Sequence, residues 1–214
     1  ETLITGIGQG YTQTTPLQLC QMTAQLANGG FKIYPKIIVD ENSKTAGDIR
    51  LIINENRKKL NKENSGLQDA TELLGFLAKK EHEPLFKNSK NIKLVREAMF
   101  ASTNEIRGTS YSSRIEDPKY QFAGKTGTSQ VRRITKEARE LDLATSEIPY
   151  NERDHALFIA FGPYKNPRYA LSVVIEHGGS GSSTAAPIAK KLFKLIIDRH
   201  ELREQTRIQK TIKI

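Results

Sequence analysis

The segment of this 214-residue sequence best suited to chemistry is residues 122–129, Phe-Ala-Gly-Lys-Thr-Gly-Thr-Ser. In an extended strand, alternation places Lys125 and Gly127 on one face and Thr126 and Thr128 on the other. Gly127 has no Cβ, so another backbone can approach closely there. A peptide could add to this strand as an edge, with Lys125 and the threonine hydroxyls holding its carboxylate. The pattern also fits an ordinary exposed strand whose lysine discourages edge pairing.

Two further strands are predicted to accompany the strand that carries this motif. The motif strand is expected over Gln121 to Val131, and the others over His155 to Phe161 and Tyr169 to Glu176. The last two are nearly continuous apolar runs, typical of strands covered on both faces. Gly162-Pro163 and Asn166-Pro167 between them predict a hairpin-like connection.

Three helices are predicted to position these strands. Thr15-Pro16 indicates a helix start, with a threonine cap and proline at the first position, and Gly29-Gly30 indicates its end. A second helix is predicted to end at Gly108, and a third to run from about Thr184 to His200. Apolar spacing predicts the buried face of the second helix at Ile92, Val95, Met99 and Thr103, with Leu94 and Ala98 alongside, and that of the third at Ile188, Leu192, Leu195 and Ile196.

The remaining segments are predicted to be irregular or exposed. Glu1 to Tyr11 has the glycine spacing of a loop, and Phe31 to Val39 is a short strand candidate broken at Pro35. Asp40 to Pro84 is rich in Asn, Lys and Glu, so we expect an exposed insertion, with a short helix from Gln68 to Lys80. The organisation is therefore one domain over residues 1–200, with a polar insertion at about 40–84 and a charged, frayed tail at 201–214.

Composition narrows the classes of partner. Lys and Arg number 33 against 24 Asp and Glu, which gives a net charge of +9. The positive field attracts nucleic acid, anionic lipid or carboxylate-bearing substrates. Alternatively, the positive charge only solvates the surface. Nucleic-acid binding is disfavoured by an aromatic content of 7% with no basic-aromatic interleaving. The basic run from Arg132-Arg133 to Arg139 could meet glycan or lipid headgroups, although a solvated loop is the default. The single cysteine, Cys20, excludes an intrachain disulfide.

The Lys125-Thr126-Gly127-Thr128 segment resembles the third signature of penicillin-binding transpeptidases and serine β-lactamases. Four other segments are similar, in the same order, to transpeptidases of the penicillin-binding protein 2 type. They are Gly6 to Tyr11 followed by Thr15 to Gln18, then Asn28 to Gly30, Asp154 to Pro163, and Glu176 to Gly181 with Ala185 to Ala189.

Part of the family's catalytic machinery is missing from this sequence. The family needs a serine with lysine three residues later, and no serine here has one. Ser102-Thr103-Asn104 matches the letters of the second signature, Ser-x-Asn, but lies after the Gly-Gln-Gly loop that the signature should precede. We interpret the match as coincidence. Since the chain also begins at Glu1 in a glycine-rich segment, we expect an excised piece that is inactive alone.

The resemblance implies an α/β fold of the serine β-lactamase/transpeptidase type, an antiparallel sheet covered by helices on both faces, with its N-terminal part missing. It implies acyl transfer, in which a serine attacks the penultimate D-Ala carbonyl of a stem peptide and an amine resolves the acyl-enzyme. Lys125 and Thr128 are the implied catalytic residues, Lys125 through its charge and Thr128 through an oxyanion-hole N–H. Thr126, Gly127 and Thr128 are the implied substrate-binding residues.

The resemblance also implies partners and a location. The expected ligands are peptidoglycan stem peptides and β-lactams, and no metal or organic cofactor is implied. Expected protein partners are the missing N-terminal half of the domain and the elongation machinery, including a polytopic glycan polymerase. The location is the periplasmic face of the bacterial inner membrane. The alternative is a catalytically incomplete fragment that acts only as a binding or complementing half.

A few other residues are weaker candidates for function. His155 and His177 could be a base or ligand, but they sit at strand boundaries where satisfied structural histidines are expected. The loop from Gly178 to Ser183 leads into a helix and could bind an anion, although a tight strand-to-helix turn is the expected role. Cys20 is expected to be a small core residue on a helix.

Overall fold

The computed structural model describes residues 2–6, 8, 10, 12–33, 35, 84–85, 87–131 and 143–212. The insertion predicted at 40–84, with its helix at 68–80, lies outside the described residues except for Pro84, and the basic residues 132–139 also lie outside them. Most of the strand predicted over Phe31 to Val39 is outside as well, although Phe31 itself forms an isolated antiparallel bridge with Pro84.

The sheet contains the three predicted strands. Strand β1 spans Ala123–Ser129, β2 spans His155–Gly162 and β3 spans Tyr169–Ile175. They are antiparallel in the order β1-β2-β3, with Thr126 opposite Phe158 in the first pair. The connection between β2 and β3 includes the cis peptide bond Gly162-Pro163. The expected hairpin is therefore confirmed, and β1 is the outer strand of the described sheet on the side away from β3.

Two helices near the N-terminus differ in how well the sequence predicts them. Helix α1 spans Thr2–Gly6, within the segment expected to be a loop, so that prediction is wrong there. Five residues are too few to show a helical period, and Gly8 and Gly10 beyond it do have positive φ. Helix α2 spans Pro16–Ala27 as predicted, capped by Thr15 in a reciprocal capping box with Gln18.

Helix α3 spans Ser89–Asn104 and buries a different face from the expected one. Val95 is 41% exposed and Leu94 is 66% exposed, so the prediction that they pack inward is wrong. Arg96 is buried instead, and its guanidinium carbon lies 5.5 Å from the centre of the Phe161 ring. Since the arginine stem and guanidinium plane can pack on aromatic surface, a charged residue takes a core position that apolar spacing cannot indicate. The buried face consists of Ile92, Arg96, Met99 and Thr103.

Helix α4 spans Ala186–Ile212 and follows a π-helical turn at Gly181–Ala185. The predicted stripe is wrong: Leu195 is 65% exposed, and Ile188 and Leu192 are also exposed. The helix buries its small residues and Phe193, whose ring stacks on that of Phe122 with the ring centroids 4.9 Å apart. Alanines permit a close approach of the helix to the sheet. The spacing of large apolar residues does not indicate a buried face that is made largely of alanines. The buried residues are Ala185 in the π turn and Ala186, Ala189, Phe193 and Ile197 in α4.

The charged C-terminal segment also differs from expectation, because α4 continues through it to Ile212 rather than fraying from residue 201. Polar contacts hold the first part of this segment. Glu201 accepts from Lys119 at 2.7 Å, and Glu204 contacts both Arg168 at 3.3 Å and His200 at 2.8 Å. The hydrogen bond from Tyr120 to Asp198 lowers the pKa of that carboxyl below its usual value. These contacts tie α4 to the segments that precede β1 and β3.

The helices cover both faces of the sheet, as expected for this α/β fold class. On one face α4 packs on a cluster that includes Phe122, Phe158 and Phe193. On the other face α2 and α3 pack on Ala123 and Phe161. Residues of β1 therefore alternate between two cores at its start, and the strand is anchored from both sides.

The start of α4 lies directly against the paired backbones of β1 and β2. A Cβ added to Gly181 would lie 2.4 Å from the Leu157 carbonyl oxygen and 2.7 Å from the Gly127 carbonyl oxygen. No real side chain tolerates these distances, so only glycine permits this approach. The backbone that approaches β1 at Gly127 is thus the π turn that begins α4.

We expect Ile197→Ala to lower the free energy of unfolding by about 2–5 kcal/mol, because it leaves a cavity beneath α4. Leu195→Ala is the matched control: it removes an aliphatic side chain two residues away that is 65% exposed, and should change stability by less than about 0.5 kcal/mol. Urea unfolding of the two variants provides the comparison. A larger loss from Leu195→Ala would show that the helix packs with its other face inward.

We expect Gly181→Ala to destabilise the fold by about 1–3 kcal/mol, since the new methyl group must push α4 off the strands. The control is Gly6→Ala, where an added Cβ meets nothing within 4 Å. Thermal unfolding of both variants measures the difference. Equal stability of the two variants would contradict the close contact between Gly181 and Gly127.

Candidate functional site

The Lys-Thr-Gly-Thr segment occupies the part of β1 where the strand emerges from the core. Ala123 is fully buried and Gly124 is buried, whereas Lys125 and Thr128 are exposed. Thr126 and Gly127 are half-buried between them. A side chain at Gly124 would collide with the Phe158 ring, whose Cζ would lie 2.3 Å from its Cβ. The glycine thus lets β1 lie flat on the core just before the lysine.

The first part of the outer edge of β1 is occupied by the last turn of α3. The Asn104 side-chain amide donates to the Phe122 carbonyl at 2.9 Å, and the Thr103 hydroxyl oxygen lies 3.5 Å from the Gly124 carbonyl oxygen. In an antiparallel strand, backbone groups alternate between the partner strand and the opposite edge. The backbone N–H and C=O groups of Thr126 and Thr128 therefore point to the same outer edge, beyond the part that α3 caps.

Lys125 bends over this open part of the edge. Its Nζ donates to the Thr126 carbonyl oxygen at 2.8 Å and lies 3.4 Å from Thr126 Oγ1. The ammonium group is thereby placed beside a strand edge that carries the outward-facing backbone N–H groups and the side chains of Thr126 and Thr128. Such an edge is suited to an extended ligand that carries negative charge.

A row of hydroxyl groups leads from α3 to the motif. Ser102 Oγ lies 3.3 Å from Thr109 Oγ1, which in turn lies 3.3 Å from Thr126 Oγ1. The loop that carries Thr109 is tightly held, because the Ser110 N–H and hydroxyl both donate to the Ser102 carbonyl at 3.0 Å. A Cβ on Gly108 would lie 2.3 Å from the same carbonyl oxygen, so this loop also requires glycine.

Sequence reasoning found the motif strand and missed Thr109. It also interpreted Ser102-Thr103-Asn104 as coincidence, and these side chains do lie on the far side of the Gly-Gln-Gly loop in sequence. They nevertheless contact the motif strand and its neighbouring loop. The sequence feature that could have indicated this contact is the group of serine and threonine residues on both sides of Gly108. Such residues favour local side-chain hydrogen bonds over a continuing helix.

The two candidate histidines bond to each other and to the backbone. His155 Nδ1 accepts the His177 backbone N–H at 2.9 Å, and His177 Nδ1 lies 3.0 Å from the Arg153 carbonyl oxygen. Since a carbonyl can only accept, His177 carries a proton on Nδ1. His177 has a φ of 55°, and its ring packs 5.0 Å from that of Tyr150. The pair fixes the turn after β3, consistent with structural histidines.

The other weak candidates also have structural partners. In the loop from Gly178 to Ser183, the Gly179 N–H donates to the Asp154 carbonyl at 2.8 Å, and the Thr184 hydroxyl donates to the Gly178 carbonyl at 2.9 Å. The loop is the expected strand-to-helix turn. Cys20 is half-buried on α2, its Sγ lies 3.5 Å from the Ala170 carbonyl oxygen, and burial raises the pKa of its thiol.

The arrangement can hold an anionic, extended ligand and present backbone N–H groups to it. Within the described ranges, no group of three or more His, Cys, Asp or Glu side chains is placed to hold a metal ion. None of the described helices combines the length and apolar character needed to cross a membrane.

Comparison with known proteins connects this site to a family. Residues 1–194 match the model of the penicillin-binding protein transpeptidase domain. The chain is 33% identical over 199 residues to the peptidoglycan D,D-transpeptidase MrdA of Salmonella typhimurium strain LT2, which covers 92% of this chain and 27% of the relative. It is 30% identical over 198 residues to MrdA of Escherichia coli K12, covering 92% of this chain and 26% of that protein.

Solved structures show the same likeness. The penicillin-binding protein 2 (PBP2) of Helicobacter pylori, in its complex with MreC, matches with a TM-score of 0.62 and 25% identity over 92% of this chain and 27% of that one. The PBP2 of Pseudomonas aeruginosa, in complex with WCK 5153, matches with a TM-score of 0.56 and 30% identity over 91% of this chain and 33% of that one.

The chain thus spans about a quarter of the length of the curated relatives it matches. The family model covers most of the chain, including β1 and the Lys-Thr-Gly-Thr segment. The fold matches the sequence-based expectation of a serine β-lactamase/transpeptidase type. The chain belongs to the penicillin-binding protein transpeptidase domain family.

Proposed function

We propose that this chain supplies the peptide-binding strand of a peptidoglycan D,D-transpeptidase that crosslinks stem peptides during cell elongation and is acylated by penicillin. The observation that carries the proposal is the half-open outer edge of β1. Asn104 and Thr103 cap its first part, and the exposed remainder carries Lys125, Thr126 and Thr128. A strand edge beside a cation is a fitting surface for an extended peptide with a terminal carboxylate.

Each motif residue has a distinct role in this proposal. Lys125 supplies positive charge at the substrate and at the hydroxyls of the site, and its ammonium group already reaches the strand edge at the Thr126 carbonyl. The Thr126 and Thr128 hydroxyls bind the carboxylate, and the Thr128 N–H is one of two oxyanion-hole donors. Gly127 belongs to the proposed substrate-binding strand and lies between the two threonines, with the π turn packed against its backbone.

The reaction needs a serine that this chain does not contain. The serine Oγ would attack the penultimate D-Ala carbonyl carbon, D-Ala would leave, and the amine of a second stem peptide would take up the acyl group and free the serine. No serine in the 214 residues has lysine three positions later. The nucleophile and the second oxyanion donor therefore come from the segment that completes the domain, and residues 1–200 form only part of it.

The relatives suggest the partners and setting. The solved PBP2 proteins were found with MreC in one case and with WCK 5153 in the other. In keeping with the name of its family, this chain would bind β-lactams, and, as the resemblance implies, it would act within the elongation machinery, alongside a polytopic glycan polymerase. The setting would be the periplasmic face of the bacterial inner membrane, with the anchor on another part of the protein. No cofactor is required.

Incubation with benzylpenicillin followed by intact-protein mass measurement tests this proposal. The 214-residue chain alone should gain no adduct, because it lacks the nucleophile. The complete enzyme, meaning this chain together with the segment that supplies the serine, should gain one penicilloyl group. An adduct on the chain alone would mean that one of its own serines is the nucleophile, and no adduct on the complete enzyme would overturn the proposed activity.

Substitution of the motif lysine tests its role in the complete enzyme. Lys125→Ala should slow penicillin acylation by about 100-fold or more, the scale of losing a preorganised electrostatic contact. Lys165→Ala is the control, since Lys165 is an exposed lysine in the β2–β3 connection. Stopped-flow measurement of the acylation rates of the two variants provides the comparison. Equal acylation rates in the two variants would show that Lys125 has no role in the reaction.

A further inference from the structure

Among the described residues, two polar groups lie within hydrogen-bonding distance of Thr126 Oγ1, and together they determine where its proton can point. Lys125 Nζ lies 3.4 Å from Thr126 Oγ1, and Thr109 Oγ1 lies 3.3 Å from the same oxygen. A hydroxyl group has one proton to donate and two lone pairs that accept. The ammonium group can only donate. If Thr109 also donates, both lone pairs of Thr126 are used and its single proton is left for a third partner.

The surroundings of Thr109 keep its hydroxyl at Thr126. Its loop is locked by Ser110, which is fully buried and donates twice to the Ser102 carbonyl. Ser102 Oγ lies 3.3 Å from Thr109 Oγ1 and can donate to it. Hydroxyls in such a chain polarise one another, so donation from Ser102 to Thr109 favours donation from Thr109 to Thr126.

The end of the open edge lies next to this hydroxyl chain. A ligand strand that pairs antiparallel with β1 runs from Ser129 toward Lys125. It cannot continue past Gly124, because the Thr103 and Asn104 side chains occupy the carbonyls there. An extended peptide on this edge must therefore finish beside Thr126, where its C-terminal carboxylate would be the third partner of the Thr126 hydroxyl.

We propose that Thr109 is a positioning residue that makes the site selective for ligands ending in a free carboxylate, by holding the Thr126 hydroxyl proton toward that group. This inference rests on the proposed transpeptidase function. It assigns a role to a loop residue 17 positions before Thr126. Charge-assisted hydrogen bonds are about twice as strong as neutral ones, so a correctly aimed proton favours a carboxylate over its ester.

The test compares benzylpenicillin with its methyl ester on the complete enzyme, using Thr109→Val, Thr109→Ser and unmodified protein. Valine keeps the shape of threonine without the hydroxyl, and serine keeps the hydroxyl. We expect Thr109→Val to slow acylation by the acid about tenfold, roughly the effect of one hydrogen bond. Acylation by the ester should change less than about twofold on the same basis, and Thr109→Ser should restore the preference for the acid.

Thermal unfolding and a distant control separate positioning from structural damage. Thr206→Val removes a hydroxyl that donates to the Leu202 carbonyl within α4 and should leave both acylation rates unchanged. Equal slowing with acid and ester in Thr109→Val would overturn the inference, as would rates that match the unmodified enzyme. Failure of unmodified enzyme to react with benzylpenicillin would instead overturn the proposed function, and the role of Thr109 with it.

Discussion

The outer edge of β1 is covered by side chains of α3 along its first part and is exposed along the next part. The packing of the described helices and loops around β1 maintains this arrangement. At its start the strand lies between two cores, with Phe122 stacked on Phe193 and Ala123 buried against the other helices. There the last turn of α3 supplies Asn104 and Thr103 to the edge carbonyls. Two residues further along, the same edge faces outward. A strand anchored in this way can present the outward-facing N–H groups of Thr126 and Thr128 without moving.

Close backbone approaches make that rigidity possible. Gly181 brings the π turn onto Gly127 and Leu157, and Gly124 leaves room for the Phe158 ring. On the other side of the edge, Gly108 lets the Thr109 loop lie against the Ser102 carbonyl. Each contact lies at a position where a Cβ would collide, so the absence of a side chain at these three glycines lets the strand and the loop lie close to their neighbours. The hydroxyls of Thr109 and Thr126 thereby meet at a defined distance.

The sequence predicted those parts of the molecule whose signals are local. The capping box of α2 lies within four residues, and the apolar runs of β2 and β3 fix both strands. The buried faces of α3 and α4 were not predictable in the same way, because Arg96 packs through its guanidinium plane and α4 turns alanines inward. Thr109 was missed for a related reason: its partner is 17 residues away, and only the path of the loop brings the two hydroxyls together.

Amide hydrogen exchange resolved along β1 tests most directly whether this edge is the ligand-binding surface. In the free protein, the Lys125 and Gly127 amides should exchange slowly because they face β2, and the Thr126 and Thr128 amides should exchange fast. Acylation of the complete enzyme by benzylpenicillin should then slow exchange at Thr128. Slow exchange at Thr126 and Thr128 in the free protein, with no change on acylation, would contradict the account.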